Sequence, residues 1–226
     1  MNYSARLDAL RRKLAAAKYD ALVISDLTNI RYLCGFTGSS GMIAITANAA
    51  YFITDFRYQS QAAEQVDPRY QTAIAAKGLW REAARLLKKA KAQRVGFEAE
   101  HTSVAALEEV TKLLKPATPV STQRVVEDLR LYKDAEELAI IRRAVGIIDD
   151  CFSYICGVLR PGLTELEVAD ELSRAMRERG ASGPSFGTIV VSGDLRSGQV
   201  DIDMLPDSVD MTGLKPIHVK GTFKCV

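Results

Sequence analysis

The side chains in this sequence that could do chemistry begin with a group of acidic residues near its C-terminal end. Four aspartates lie close together there, namely Asp201, Asp203, Asp207 and Asp210. Carboxylate oxygens are the ligands that hard cations prefer. The spacing, however, has neither the glycine nor the terminal glutamate of an EF-hand loop. We therefore interpret this segment as a solvated acidic tail and not as a metal site.

The histidines and cysteines offer no recognisable nucleophile or metal site. His101 stands at a predicted helix entry and His218 stands alone near the end of the sequence, so neither indicates a catalytic triad. The four cysteines are widely separated, except that Cys151 and Cys156 share a predicted helix without zinc-knuckle spacing. We predict structural or exposed histidines, buried free thiols, no catalytic residue and no metal ligand in this chain.

Glycines mark the stretch from Leu27 to Gln61, which is the most informative part of the sequence. Gly35, Gly38 and Gly41 fit neither the dinucleotide fingerprint nor the phosphate loop, and no lysine follows them. Their spacing favours a loop whose geometry needs glycine over one that binds a nucleotide.

One arginine in the same stretch could recognise an anion. Arg57 lies in the run Asp-Phe-Arg-Tyr, and its planar guanidinium can form a fork around a carboxylate. It can equally pair with Asp55 and cap the helix that follows. Asn29, Arg31 and Tyr32 can be turn and packing residues or residues at a subunit edge. Both interpretations stay open at this point.

The composition indicates an ordinary soluble protein. The 226 residues are 47% apolar, which is enough for one large or two modest domains. Thirty basic and 28 acidic side chains leave a net charge of +2 with mixed signs, so nucleic acid is not an expected partner. The N-terminus lacks the features of a signal peptide, and no run reaches the roughly 18 apolar residues of a membrane span. We expect a cytoplasmic protein that does not bind a membrane.

Helical and strand-like patterns alternate through the first half of the chain. The apolar spacing predicts a helix from Ser4, a strand at Ala21–Ser25, a turn and loop up to Gly41, and a hairpin of two strands. Further helices and strands follow to about Val126, which predicts an α/β domain in which helices cover a mixed sheet. We place the first domain at residues 1–126 and a linker at residues 127–133.

The second half begins with the clearest periodic element of the sequence. Asp134 and Glu137 have capping-box spacing, and seven large apolar side chains then recur every three or four residues to Leu159. Thr164 and Glu167 predict a second capped helix, and residues 185–192 a strand. We expect an incomplete α+β domain at residues 134–198. Its first helix would leave an apolar stripe uncovered, which promotes association or poor solubility.

Several motifs together resemble one family. NIRYLCGFTGSSG and YFITDFRY, between Asn29 and Tyr58, resemble the N-terminal domain of the creatinase, prolidase and aminopeptidase P family. LRLYKDAEELAIIRRA from Leu129, LRPGLTELEVADEL from Leu159 and GASGPSFGTIVVSG from Gly180 are similar to the start of its pita-bread catalytic domain. The pattern is most similar to Xaa-Pro aminopeptidases and Xaa-Pro dipeptidases. A creatinase-like amidinohydrolase fragment is an alternative.

The resemblance implies hydrolysis of peptides with proline in the second position. In that family two divalent ions, manganese, cobalt or zinc, are held by two Asp, one His and two Glu, and they activate a bridging water. Those ligands follow the position of Ser192 in the family order, and none of their motifs is matched here. We therefore expect no cofactor on this chain and no activity of the chain alone.

The resemblance also implies where this chain departs from the family and what it could still do. Residues 199–226 are unlike the family, so we hypothesise a truncation, a reading-frame change or a short form. We expect a homodimer or a complex with a full-length relative. The alternative function is that of a non-catalytic dimerising or regulatory partner of such a relative. In the family the N-terminal domain borders a neighbouring active site, which makes Arg57, Tyr58, Asn29 and Arg31 the candidate substrate- or subunit-edge residues.

Overall fold

The structure, a computed structural model, describes residues 1–190 and the backbone of residues 191–192 and 217–220. The chain divides into two compact units, Met1–Lys133 and a second unit that begins at Asp134. The first unit holds a six-stranded sheet with helices, and the second holds two helices and a pair of strands. The predicted α/β class, with a mixed sheet covered by helices, is confirmed.

The first unit consists of twelve regular elements and one short 3-10 turn at Phe56–Tyr58. In chain order the elements are α1 (Tyr3–Ala16), β1 (Ala21–Ile24), α2 (Leu27–Cys34), β2 (Met42–Thr46), β3 (Ala50–Thr54), α3 (Gln59–Gln65), β4 (Gln71–Ile74), α4 (Leu79–Lys89), β5 (Arg94–Glu98), α5 (Val104–Leu114), β6 (Thr118–Thr122) and α6 (Glu127–Leu131).

The strand order β4-β3-β2-β1-β5-β6 brings most carboxyl ends of the strands to one edge of the sheet. β2 pairs antiparallel with both β1 and β3, while β3–β4, β1–β5 and β5–β6 are parallel. Five of the six strands therefore run in the same direction, with β2 against them. The residues that follow β1, β3 and β5 consequently meet along the carboxyl edge of the sheet.

The core lies on both faces of the central strand β1. Leu22 and Ile24 point to one face, where they pack with residues of α1 and α2. Ala21 and Val23 point to the other face, where they pack with residues of α4 and α5. Because successive side chains of a strand alternate between faces, a fully apolar strand of this kind must be covered on both sides.

The segment after β1 is a helix and not the turn and loop predicted from the sequence. The carboxylate of Asp26 accepts hydrogen bonds from the amides of Thr28 and Asn29 and so caps the N-terminus of α2. Gly35 ends the helix in the left-handed conformation, with φ +88°. The run Asp-Leu-Thr-Asn predicts a turn as readily as a helix start, because the same residue types favour helix caps and turns alike.

The predicted linker, residues 127–133, contains the short helix α6. This helix is packed: Tyr32 on α2 donates its hydroxyl hydrogen bond to the carbonyl of Leu129 at 3.1 Å. The Nζ of Lys13 on α1 pairs with Asp128 at 3.1 Å. These contacts join residues 127–131 to the first unit.

The second unit starts with two helices, α7 (Ala135–Val158) and α8 (Glu165–Glu178), followed by β7 (Ile189–Ser192) and β8 (Ile217–Lys220). Both predicted capping boxes are present, at Asp134 with Glu137 and at Thr164 with Glu167. Cys151 and Ile155 are buried against α8, whereas the earlier part of the predicted stripe is exposed, at Leu138, Ile141 and Val145.

Some sequence predictions fall outside the described residues. They are the acidic segment with Asp201, Asp203, Asp207 and Asp210 and most of the predicted tail, residues 199–226. His218 lies on β8, but its side chain is outside the described part. Within the described ranges, none of the helices has the length and apolar content that crossing a membrane requires.

Candidate functional site

The carboxyl edge of the first unit's sheet is the candidate functional site. Asp26 follows β1, Asp55 follows β3, and Glu98 is the last residue of β5. In sheets of this type ligands bind outside the carboxyl ends of parallel strands, because the following loops meet there. Two groups of polar side chains lie along this edge, one buried and one exposed.

The buried group is built around the carboxylate of Glu98. Its Oε2 accepts hydrogen bonds from the backbone amides of Ser25 at 2.7 Å and Asp26 at 2.8 Å. Its Oε1 accepts from Nδ2 of Asn29 at 2.7 Å. Burial nevertheless raises the pKa of Glu98 above its ordinary value, against these hydrogen bonds. The carboxylate thereby ties β5 to the start of α2.

Asn29 is the centre of this buried group, with a fully buried side chain. Its Nδ2 also donates to Oε1 of Glu127 at 2.5 Å, and its Oδ1 accepts from Nη1 of Arg130 at 2.9 Å. One amide therefore joins α2, β5 and α6. The structure places the Asn29 side chain inside the unit, where it holds these three elements together.

A group able to hold a metal ion adjoins this network. Asp26, His101 and Glu127 each offer one ligand atom, and these atoms all lie within 4.8 Å of one another. His101 is exposed, whereas the two carboxylates are half-buried. The sequence did not indicate this group, because its three members come from segments far apart in the chain and only the fold brings them together.

The exposed group is the turn Asp55-Phe-Arg-Tyr58. Nε and Nη2 of Arg57 donate to the two carboxylate oxygens of Asp55 at 2.8 and 2.9 Å. The guanidinium and the hydroxyl of Ser40 hold the pKa of Asp55 well below its usual range. The Asp55–Arg57 pairing predicted as one of two alternatives is present. The Arg57 side chain is still 62% exposed, so it can also be reached from outside.

Aromatic rings surround this exposed turn. The hydroxyl of Tyr58 lies 2.5 Å from the Oγ of Ser39, and its ring meets Phe36 edge-on at 5.6 Å. A Cβ at Gly38 would stand 2.3 Å from the ring of Phe36, so only glycine fits there. Phe56 is 76% exposed. The glycine-bearing loop thus supports the turn.

The four predicted edge residues are not brought together as one site. Arg57 and Tyr58 form the exposed turn, and Asn29 lies in the buried group. Arg31 is on α2 and half-buried. In the part of the chain that the structure describes, no hydrogen bond joins Arg31 to any of the other three residues. The sequence patterns did not point to Glu98, Glu127 or Arg130. Only Glu98 had a visible signal, since it is a glutamate that follows apolar residues at the end of a strand.

Comparison with known proteins identifies the two parts of the chain. Residues 6–132 match the creatinase/prolidase N-terminal domain, over more than half of the chain. The chain belongs to the creatinase/prolidase family. Residues 139–197 match metallopeptidase family M24. The resemblance to creatinase, prolidase and aminopeptidase P that the sequence motifs predicted is thereby confirmed.

The relatives of this creatinase/prolidase chain are longer peptidases. The uncharacterized peptidase YqhT of Bacillus subtilis is 36% identical over 212 residues, which are 92% of this chain and 60% of that protein. An Xaa-Pro dipeptidase from Bacillus anthracis has a TM-score of 0.80 and 34% identity, over 85% of this chain and 54% of that chain. This chain thus spans about half to three fifths of the length of these relatives.

A third solved structure covers the first unit alone. The N-terminal domain of the cytoplasmic peptidase PepQ from Mycobacterium tuberculosis H37Rv is 37% identical, with a TM-score of 0.53. The match covers 56% of this chain and 98% of that chain. The domain has therefore been solved separately in a relative.

The M24 match relates the chain to a metallopeptidase family, and the described residues of the second unit hold no group of three ligands for a metal ion. Among the residues that the structure describes, the group able to hold an ion is Asp26, His101 and Glu127, all in the first unit. Two ions bridged by a water need several carboxylates and a histidine converging in one place.

Proposed function

We propose that this chain is part of an Xaa-Pro peptidase, in which residues 1–133 form the domain that borders the peptide site. The observation that carries the proposal is the order of the two family matches, 6–132 and then 139–197, along one chain. The Xaa-Pro dipeptidase of B. anthracis, with its TM-score of 0.80, supports the same reading. A cytoplasmic location is part of the proposal, supported by the PepQ relative.

The exposed turn is the part of this domain that we assign to the border. Arg57 and Phe56 are two exposed side chains at the carboxyl edge of the sheet. An arginine already oriented by Asp55 can offer its remaining N–H groups to a carboxylate of a peptide or of a neighbouring subunit. An aromatic side chain beside it supplies the apolar contact that interfaces favour.

We further propose that the 226 residues taken alone do not hydrolyse Xaa-Pro peptides and that they act as a dimer or with a longer relative. The lack of a suitable ligand group in the described residues of the second unit supports this. The second candidate function, a non-catalytic dimerising or regulatory partner, is favoured by three exposed apolar side chains on α7, Leu138, Ile141 and Val145.

The test is hydrolysis of a chromogenic Xaa-Pro peptide by the purified chain with added manganese, together with light scattering and analysis of bound metal. We expect no turnover above a metal-only blank and a dimer in solution. Turnover that grows with protein concentration and with bound manganese would disprove the inactive-chain part of the proposal. A stable monomer would disprove the dimer.

A further inference from the structure

Asp26, His101 and Glu127 come from three separate parts of the first unit. Asp26 caps α2 after β1, and Glu127 is the first residue of α6. His101 lies in the loop after β5, where its amide and that of Thr102 donate to the carbonyl of Glu98 at 3.3 and 3.0 Å. The ligand atoms of the three side chains lie within 4.8 Å of one another.

The donor set selects the kind of ion. Two carboxylates and one imidazole suit zinc and the similar borderline ions cobalt and nickel better than calcium, which takes six or more oxygens. Around zinc, at about 2.0–2.2 Å, tetrahedral ligand atoms stand roughly 3.4 Å apart. The exposed imidazole of His101 can close the remaining gap by rotating. A water can complete the coordination from the solvent side.

The two carboxylates are already oriented by hydrogen bonds. The oxygens of Asp26 accept from the amides of Thr28 at 3.2 Å and Asn29 at 3.1 Å, and Glu127 accepts from the side chain of Asn29 at 2.5 Å. Ligating carboxylates in metal sites are held by outer partners in this way, and each oxygen keeps a lone pair for the ion. Two of the three ligands are therefore fixed before an ion arrives.

The charge of the neighbourhood also favours a cation. Asp26 and Glu127 lie beside the buried carboxylate of Glu98, to which the amide of Asp26 donates. Against these three acids, Arg130 reaches the network through Asn29 at 2.9 Å. Three clustered carboxylates repel one another, and a divalent ion would offset that repulsion.

We propose that Asp26, His101 and Glu127 bind one zinc-type divalent cation at the carboxyl edge of the sheet. The site differs in place from the paired ions that the M24 match implies, since all three ligands belong to the creatinase/prolidase N-terminal domain. Bound there, the ion fastens the loop after β5 to α2 and α6. It stabilises this corner of the fold without taking part in peptide hydrolysis.

The direct test is titration of the metal-stripped full chain with zinc by calorimetry and with cobalt by visible absorption. We expect one ion per chain and a cobalt spectrum of a site with nitrogen and oxygen ligands. His101→Ala should weaken binding at least about tenfold, because it removes one of three protein ligands. His218→Ala is the matched control, since His218 is the only other histidine of the sequence, and it should bind as the wild type does.

Thermal unfolding gives a second readout that does not depend on peptidase activity. Zinc at about 100 times its wild-type dissociation constant should raise the Tm of the wild type and of His218→Ala by roughly 5 °C, and raise the Tm of His101→Ala by at most about half as much. Glu127→Gln should show a similarly reduced zinc-dependent rise. Absence of zinc binding, zinc binding that His101→Ala does not weaken, or binding that His218→Ala abolishes would each overturn the site.

Discussion

Two turns of the first unit have the same sequence pattern and the same local geometry, yet the fold uses them differently. Asp55-Phe-Arg-Tyr58 and Asp67-Pro-Arg-Tyr70 lie on either side of α3. In each, the arginine holds both oxygens of the aspartate two residues before it, at 2.8 and 2.9 Å in the first turn and 2.7 Å for both contacts in the second. In each, the arginine amide also donates to that carboxylate at 3.1 Å.

The second turn is attached to the end of α2. The amide of Asp67 donates to the carbonyl of Cys34 at 3.0 Å, and the hydroxyl of Tyr70 donates to the carbonyl of Leu33 at 3.1 Å. The last carbonyls of a helix lack partners within it, so these bonds satisfy groups that would otherwise be orphaned. Tyr70 is only 4% exposed. The Asp67 turn is thus a structural cap.

The first turn is left accessible. Its arginine side chain is 62% exposed, against 39% in the second turn, and its exposed Phe56 occupies the place of Pro68. The aspartate–arginine pair is therefore a local device that any loop can use, and it is not by itself a mark of function. What distinguishes the Asp55 turn is the exposed aromatic and arginine surface that it holds in place.

Removing the tyrosine ring should give the largest difference between the two turns. Tyr70→Ala should lower the free energy of unfolding by about 4 kcal/mol, because it leaves a cavity in the core and the Leu33 carbonyl without its donor. Tyr58→Ala should lower it by about 1 kcal/mol, because Tyr58 is half-buried and bonds to a loop serine. Urea unfolding followed by circular dichroism measures both.

If the alanine variant does not fold, Tyr70→Phe replaces it, because this variant keeps the ring. It should lower the free energy of unfolding by about 1–2 kcal/mol, since only the hydrogen bond is missing. Equal losses for the alanine variants of Tyr58 and Tyr70 would contradict the distinction between a structural and an accessible turn.

Replacing the arginine of each turn should affect dimer formation differently. If the Asp55 turn borders a neighbouring subunit, Arg57→Ala should raise the dimer dissociation constant roughly tenfold, because interface arginines often carry much of the binding energy. Arg69→Ala removes an arginine with the same local pairing and should leave the constant unchanged. Analytical ultracentrifugation of both variants checks this. Equal changes of the dissociation constant in both variants, or no change for Arg57→Ala, would show that the Asp55 turn does not lie at the subunit edge.

The alternation of patterns sufficed to predict the α/β class and the two capped helices of the second unit. The signals were local: apolar residues at helical or strand spacing, and Asp134 with Glu137 three residues apart. Helix α2 was missed because Asp26 and Gly35, which cap its ends, also favour turns. Its apolar side was too short to show a convincing period.

The site was predictable only in part, for a physical reason. Arg57 pairs with a residue two positions away, so the sequence could suggest that contact. The Asn29 network joins residues about 70 and 100 positions apart, with Glu98 and Arg130 as partners. Such contacts exist only once β1 and β5 are paired in the sheet. The repeat of the Asp-x-Arg-Tyr pattern was visible in the sequence, but only the contacts of Tyr70 reveal its second role.

Lowering the pH should reduce the stability that both turns contribute, and this is the smallest of the effects predicted for the two turns. The arginine in each turn lowers the pKa of its aspartate below the ordinary value of about 4. A carboxylate with a lowered folded-state pKa adds stability above pH 4, and that stability is lost as the pH falls through the folded-state value. Asp55→Asn and Asp67→Asn should therefore be less stable than the wild type at pH 6, and the differences should shrink below pH 4.

Salt then distinguishes the two carboxylates. Ions screen exposed pairs more than partly buried ones, and in 0.5 M sodium chloride the screening length is only about 4 Å. Salt should therefore reduce the stability difference between the wild type and Asp55→Asn more than that between the wild type and Asp67→Asn. The measurement is urea unfolding of the three proteins at pH 6 and pH 3, with and without salt. Stability differences that grow toward pH 3 would show that the pairs do not favour the ionised aspartates. Equal salt sensitivity would mean that the Asp55 turn is as sheltered as the Asp67 cap.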